Sequence, residues 1–175
     1  MSDNDQLIRL AYASQSASSG RGGGTAVDNE IPRILRSCKN NNPRLEIGGV
    51  LHYGDGYFFQ VLEGPAAAVD HLYERIAQDS RHQDVSTLER RPIRQRRFPD
   101  WSMKYVPMES DVERLLKRHK LTHFDPYRFD SEMIEEMIAL LVGKPAKDQQ
   151  PDQNYAGNGS KRARGSWLQR LLGRA

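Results

Sequence analysis

The strongest constraint on the fold of this chain is one continuous run: Ile47-Gly48-Gly49-Val50-Leu51-His52-Tyr53, then Gly54-Asp55-Gly56, then Tyr57-Phe58-Phe59-Gln60-Val61-Leu62. Two strand-like stretches flank a turn signal with glycine available for positive φ, so the segment reads as a β-hairpin. By the period-two rule the second strand puts Phe58, Gln60 and Leu62 on one face and Phe59 and Val61 on the other. A strand that is apolar on both faces belongs at the centre of a sheet covered on two sides. Gln60 is then a carboxamide at a position where burial is expected.

The remaining segments supply the two covers. Residues 7–14 read as a strand with Ile8, Leu10 and Tyr12 on one face. Residues 16–25 are a Ser/Gly-rich loop around Arg21-Gly22-Gly23-Gly24, without the Lys-Ser/Thr that a phosphate loop needs. Val27, Ile31, Ile34, Leu35 and Cys38 then recur at helical spacing, with Asn29 as the expected cap, Pro32 in the first turn and Asn40-Asn41-Asn42-Pro43 as the end. Pro65 opens a second helix with Val69, Leu72 and Ile76 inward, Arg75 and Asp79 sharing a face, and Asp79-Ser80-Arg81-His82 closing it. Residues 85–97 read as an edge strand whose arginines discourage further sheet pairing, and residues 101–106 as a short last strand with Trp101 and Met103 on the same side. Two more helices are expected, one around Val112, Leu115 and Leu116, the other from Asp130 with Met133, Ile134, Met137, Ile138 and Leu141 on a stripe. The order β-α-β-β-α-β-β is that of a ferredoxin-like α+β sandwich, with the C-terminal helices covering the second sheet face.

Charge narrows the function classes. Residues 144–175 carry seven of the 26 basic and two of the 23 acidic side chains, so the body is near neutral and the tail is basic. A near-neutral body argues against a nucleic-acid-binding domain, because phosphate recognition needs a basic face. An RNA-binding sheet would also display aromatics on an open face, which the C-terminal helices here are expected to cover. Residues 144–166 hold almost no large apolar side chains and read as disordered, and Ser166-Trp167-Leu168-Gln169-Arg170-Leu171-Leu172 as a short amphipathic helix. That end could attach weakly to an anionic membrane surface or dock on a partner, or be a plain disordered terminus. The single cysteine, Cys38, cannot form an intrachain disulfide, and the first residues lack the pattern of a secretory signal, so a cytoplasmic location is the default. His119 and His123 are spaced for one helix face but lack a third ligand, so no metal site is expected.

A ferredoxin-like sandwich has a slot between its two helices. Tyr12, Gln60, the Asn41-Asn42 pair and Arg75 or Asp79 would point into it. A phenol and several carboxamides among Ile, Leu and Phe are costly unless each finds a partner, at ~1–3 kcal/mol for each unsatisfied buried group. A planar heterocycle edged with carbonyl and N–H groups would satisfy them together. Taken singly, Tyr12 fits a core tyrosine, Gln60 an amide satisfied by backbone, and Cys38 a buried core thiol.

The motifs Leu10-Ala11-Tyr12-Ala13-Ser14, Ser37-Cys38-Lys39-Asn40-Asn41-Asn42-Pro43, Ile47-Gly48-Gly49-Val50-Leu51, Phe58-Phe59-Gln60-Val61-Leu62-Glu63-Gly64, Asp79-Ser80-Arg81-His82 and Trp101-Ser102-Met103, in this order and spacing, closely resemble the BLUF family of flavin-binding blue-light sensors. The resemblance covers about residues 6–107. It implies a non-covalent flavin, FAD in preference to FMN or riboflavin, between the two helices. It implies that Tyr12 gives an electron and then a proton to the excited flavin and that Gln60 bridges Tyr12 to the ring. Asn42, with Asn41 beside it, would hold the ring edge and Ile34 would pack on the ring. Arg75, Asp79, Arg81 and His82 would meet the ribityl and phosphate portion, and Trp101 and Met103 would lie on a last strand that rearranges after light. The resulting expectation is a photoreceptor and not an enzyme, with a flavin domain at 1–107, a helical cap at 108–143 and a basic tail at 144–175. Its output would pass through the last strand and the C-terminal helices to an unknown signalling protein or a homo-oligomer. The competing readings are an acylphosphatase-like hydrolase, for which the first loop offers only Arg21 and glycines, and a nucleic-acid module using the tail.

Overall fold

The computed structural model describes residues 6–18, 25–99, 103–107 and 109–144, with side chains of the first helix from residue 30 onward. Trp101, the Arg21–Gly24 loop and the tail beyond Lys144 lie outside the described residues.

The elements run β1 (Leu7–Ser16), α1 (Thr25–Asn41), β2 (Gly48–Gly54), β3 (Tyr57–Pro65), α2 (Ala66–Ala77), β4 (His82–Pro92), β5 (Lys104–Pro107), α3 (Ser110–Arg118) and α4 (Ser131–Gly143). The sheet order is β4-β1-β3-β2-β5, antiparallel throughout except for the parallel pair β2–β5. The first four strands in this order are those of a ferredoxin-like α+β sandwich, and β5 extends the sheet beyond β2. Asp55 and Gly56 both take positive φ, at 48° and 90°, and close the β2–β3 hairpin as a two-residue turn.

Each face of β3 has its own core. Phe58 and Leu62 pack with Ile8, Leu10, Tyr12 and the inner residues of α1 and α2. Phe59 and Val61 pack with Ala11, Val50 and the apolar stripes of α3 and α4. Gly49 makes the close β2–β3 approach possible: a Cβ there would lie 2.1 Å from the Val61 carbonyl oxygen.

Several boundaries differ from expectation; the last strand, expected over 101–106, is β5 at Lys104–Pro107, so Met103 lies just before it. Helix α1 begins at Thr25, so Asn29 is not its cap and Pro32 is an interior residue. Pro32 lies on the exposed face, where its missing hydrogen bond costs least. Strand β4 starts at His82, where Ser16 pairs with it at the end of β1, and ends at Pro92; just beyond it the Ile93 N–H still donates to the Leu7 carbonyl at 2.9 Å. Helix α3 stops at Arg118, so His119 and His123 do not share a helix face, and His119 instead faces Glu136 at 3.3 Å.

His52 on β2 is fully buried between sheet and cap. Its Nδ1 donates to the Val106 carbonyl at 2.8 Å, its ring meets Phe124 edge-on, and its Nε2 has no hydrogen-bond partner. Burial lowers its pKa from 6.5 to about 4. A base depressed in the folded state leaves the unfolded chain to take up the proton first. Stability should therefore fall as pH drops from about 6.5 towards 4, by about 3 kcal/mol across that window. Denaturant melts at stepped pH should show this slope, and His52→Gln, which does not titrate but can still donate to Val106, should flatten it.

Candidate functional site

Period-two alternation along β1 and β3 directs Tyr12 and Gln60 to the α1/α2 side, and the antiparallel register makes them direct partners. Tyr12 is 0% and Gln60 2% exposed. The Tyr12 hydroxyl donates to Gln60 Oε1 in a short contact, and Gln60 Nε2 donates to Met103 Sδ at 3.2 Å. The amide thus sits between a phenol on one side and a thioether, a weak acceptor, on the other. Burial raises the Tyr12 pKa well above the usual phenol value, so the group is neutral at physiological pH.

Above Gln60 opens a cleft of about 130 Å³ between α1 and α2. Ile34, Cys38, Leu72 and Ile76 give it apolar walls, Asn42 and Gln60 supply carboxamides, and Arg75, Asp79, Arg81 and His82 gather at one end. Asn42 is 1% exposed at the C-terminal end of α1. Asn41 lies at the exposed rim and donates to Ser37 Oγ at 3.3 Å. Arg75 is exposed on the last turn of α2.

The charged end is organised by a tight turn after α2. Asp79 accepts from the backbone N–H of Arg81 at 3.0 Å and from its Nε at 2.9 Å. The Arg81 guanidinium holds the Asp79 carboxyl below its ordinary pKa, and Asp79 in turn raises that of Arg81. His82 shares a 2.8 Å hydrogen bond with Ser14 Oγ, packs on Phe58, and is lowered in pKa by burial. Among the described residues no group of His, Cys, Asp and Glu side chains is placed to hold a metal ion.

Eight of the residues singled out from sequence (Ile34, Asn41, Asn42, Gln60, Arg75, Asp79, Arg81 and His82) line this one cleft. Tyr12 is behind its floor and Met103 beside it, while Trp101 lies outside the described residues. Cys38, expected in the core, is instead half-buried in the cleft wall; burial pushes its thiol up to about 11, with Arg81 and a hydrogen bond from Asn42 pulling the other way. Its spacing is helical as expected, but spacing alone does not show where two helices part. Sequence reasoning missed Tyr73, whose ring meets Tyr12 edge-on at 5.5 Å.

Fold and cleft together define an α+β domain with a ligand slot between its two sheet-packed helices. The slot's chemistry fits a flavin: apolar walls suit a ring system, carboxamides suit its alternating carbonyl and N–H edge, and the guanidinium groups of Arg75 and Arg81 suit phosphate. The comparisons agree. The family model described as BLUF, sensors of blue-light using FAD, matches residues 7–104, and the chain belongs to that family. It is 41% identical over 75 residues to the photoactivated adenylate cyclase subunit beta of Euglena longa, a match spanning 42% of this chain and 9% of that protein. The alpha subunit from Euglena gracilis is 40% identical over 91 residues, 52% of this chain and 8% of that protein. The chain therefore spans less than a tenth of these curated relatives. Among solved structures, BlsA in its photo-activated state superposes with a TM-score of 0.74 at 29% identity, covering 80% of this chain and 97% of BlsA. BlrB, a BLUF protein in its dark state, gives 0.62 at 33% identity, covering 79% and 97%. No helix among the described residues is long and apolar enough to cross a membrane.

Proposed function

We propose that this chain is a blue-light photoreceptor that holds FAD non-covalently between α1 and α2 and signals by rearranging the hydrogen bonds of Tyr12 and Gln60. The observation that carries this reading is the buried Tyr12–Gln60 hydrogen bond at the floor of the cleft. The flavin supplies visible absorption and, once excited, an oxidant for a nearby phenol. Tyr12, kept protonated by burial, is an electron donor whose proton already points at the Gln60 carbonyl oxygen. Gln60 has a donor end and an acceptor end, so turning or tautomerising the amide reverses what it offers the ring and Tyr12. Its bond to the weak acceptor Met103 Sδ does little to resist that turn. No covalent bond is needed, so the resting pattern returns unaided in darkness.

In this reading Asn42, with Asn41 at the rim, holds the ring edge and Ile34 packs on its face. Arg75 and Arg81 take the phosphate end, with Asp79 positioning Arg81 and His82 beside them. Residues 1–107 act as the sensor and 108–143 as its helical cap, in a cytoplasmic protein. Output goes to a signalling partner or a second copy, with no catalytic step assigned to the chain. Asn42→Ala should weaken FAD binding about 10-fold, the equivalent of one buried hydrogen bond, in a fluorescence titration. The protein loaded with FAD should be yellow, shift its absorption to longer wavelength under blue light, and recover in the dark. Failure to bind FAD, or a spectrum unmoved by light, would refute the proposal.

A further inference from the structure

We infer that Lys104 is a positioning residue that ties the Gln60 side of the cleft to the C-terminal turn of α4; the inference rests on the light-sensing reading above. The end of β5 has two faces. Met103, just before the strand, packs with the α1/α2 core and takes the Gln60 amide on its sulfur. Lys104, the next residue, is 3% exposed and sends its ammonium to the opposite side, where Nζ donates to the carbonyls of Leu141 at 2.7 Å and Val142 at 2.9 Å.

Those carbonyls belong to the last turn of α4, where helix oxygens lack intrahelical partners and carry partial negative charge. The last turn of α4 has no basic residue of its own, so a cation from the strand provides the cap. A buried ammonium without acceptors is costly, so Lys104 and the end of α4 hold each other in place. On the far side Lys144, the residue after α4, pairs with Asp111 and with Glu109 (3.0 Å) at the start of α3. The end of α4 is therefore fixed between β5 and α3.

β5 is the element best placed to move. It is four residues long, lies at the sheet edge and pairs with β2 alone. Turning the Gln60 amide changes what Met103 meets, and any shift of Met103 along β2 is passed through one peptide unit to Lys104. Nζ then leaves the Leu141 and Val142 carbonyls, and the last turn of α4 loosens together with the Lys144 pairs.

The test is amide hydrogen exchange across residues 138–144 of the full chain loaded with FAD, in the dark and under blue light, with the absorption shift recorded on the same samples. In wild type, exchange in this segment should rise at least fivefold on illumination. In Lys104→Met, which keeps the stem and removes the donors, exchange should be fast in the dark and unchanged by light, with the absorption shift retained. Lys104→Arg should restore the light–dark difference. An absorption shift with no change at 138–144 in wild type would overturn this inference and leave the light-sensing reading standing. A wild-type light–dark difference in Lys104→Met, or loss of its absorption shift, would also overturn it. Absence of the shift from wild type would overturn both.

Discussion

Tyr12→Phe is expected to keep FAD bound and to lose the light-induced absorption shift completely. Phenylalanine preserves the ring, its packing against Tyr73 and the fully buried volume, and Tyr12 is not part of the cleft wall that meets the ligand. What disappears is the oxidisable phenol and the hydrogen bond into Gln60 Oε1. The amide then has no phenol to bond with in either orientation, and no electron donor stands behind it. The structural cost is that of one buried acceptor left unpaired, about 1–3 kcal/mol. Light-minus-dark absorption and an FAD titration on the same preparation separate the two effects. A normal shift in this variant would remove Tyr12 from the mechanism.

Glu63→Gln is expected to destabilise the fold by about 3–5 kcal/mol. Glu63 is 0% and Arg9 2% exposed on neighbouring central strands, with Arg9 Nε donating to Glu63 Oε1 at 2.8 Å. The other carboxylate oxygen accepts the backbone N–H groups of Arg97 at 2.6 Å and Phe98 at 3.2 Å, which fastens the β4–β5 connection to β3. Glu135 of α4 joins the group from outside, receiving Arg9, Arg91 and Arg97. Removing the Glu63 charge leaves the Arg9 guanidinium buried with only the half-exposed Glu135 to answer it. The double variant Arg9→Met/Glu63→Gln should recover most of the loss, since no charge is stranded and the amide oxygen that replaces the carboxylate at this position can still accept a backbone N–H. Denaturant midpoints of the two variants decide the point; equal losses in both would mean that the stranded charge is not the cause.

How far the sequence carries depends on the kind of signal. The two-sided pattern of Phe58 to Leu62 correctly implies two helical layers, and alternation in β1 puts Tyr12 on the same side as Gln60. Alternation supplies a face but not a register, so their direct pairing is visible only with the sheet. The pairing of Arg9 with Glu63 is not visible in the sequence: alternation puts each on the second sheet face, and only the β1–β3 register brings them together under the C-terminal helices. Lys104 escapes notice because basic residues on short edge strands usually face water. The start of α1 is misplaced by sequence because Asn29 followed by Pro32 imitates a helix start, and only the backbone shows the helix already formed from Thr25. Cleft membership of Cys38 and the contact of Tyr73 with Tyr12 depend on how α1 and α2 diverge, which no local pattern encodes.

Light is expected to change hydrogen bonding at the Gln60 amide while covalent structure stays the same. The most direct measurement is the light-minus-dark infrared difference spectrum of the FAD-loaded protein, compared with Gln60→Leu. The expected result is a reversible downshift of a flavin carbonyl band in the wild type, from a strengthened hydrogen bond, and no such band in Gln60→Leu. Carbonyl bands unmoved by light in the wild type, or the same downshift in Gln60→Leu, would contradict the account.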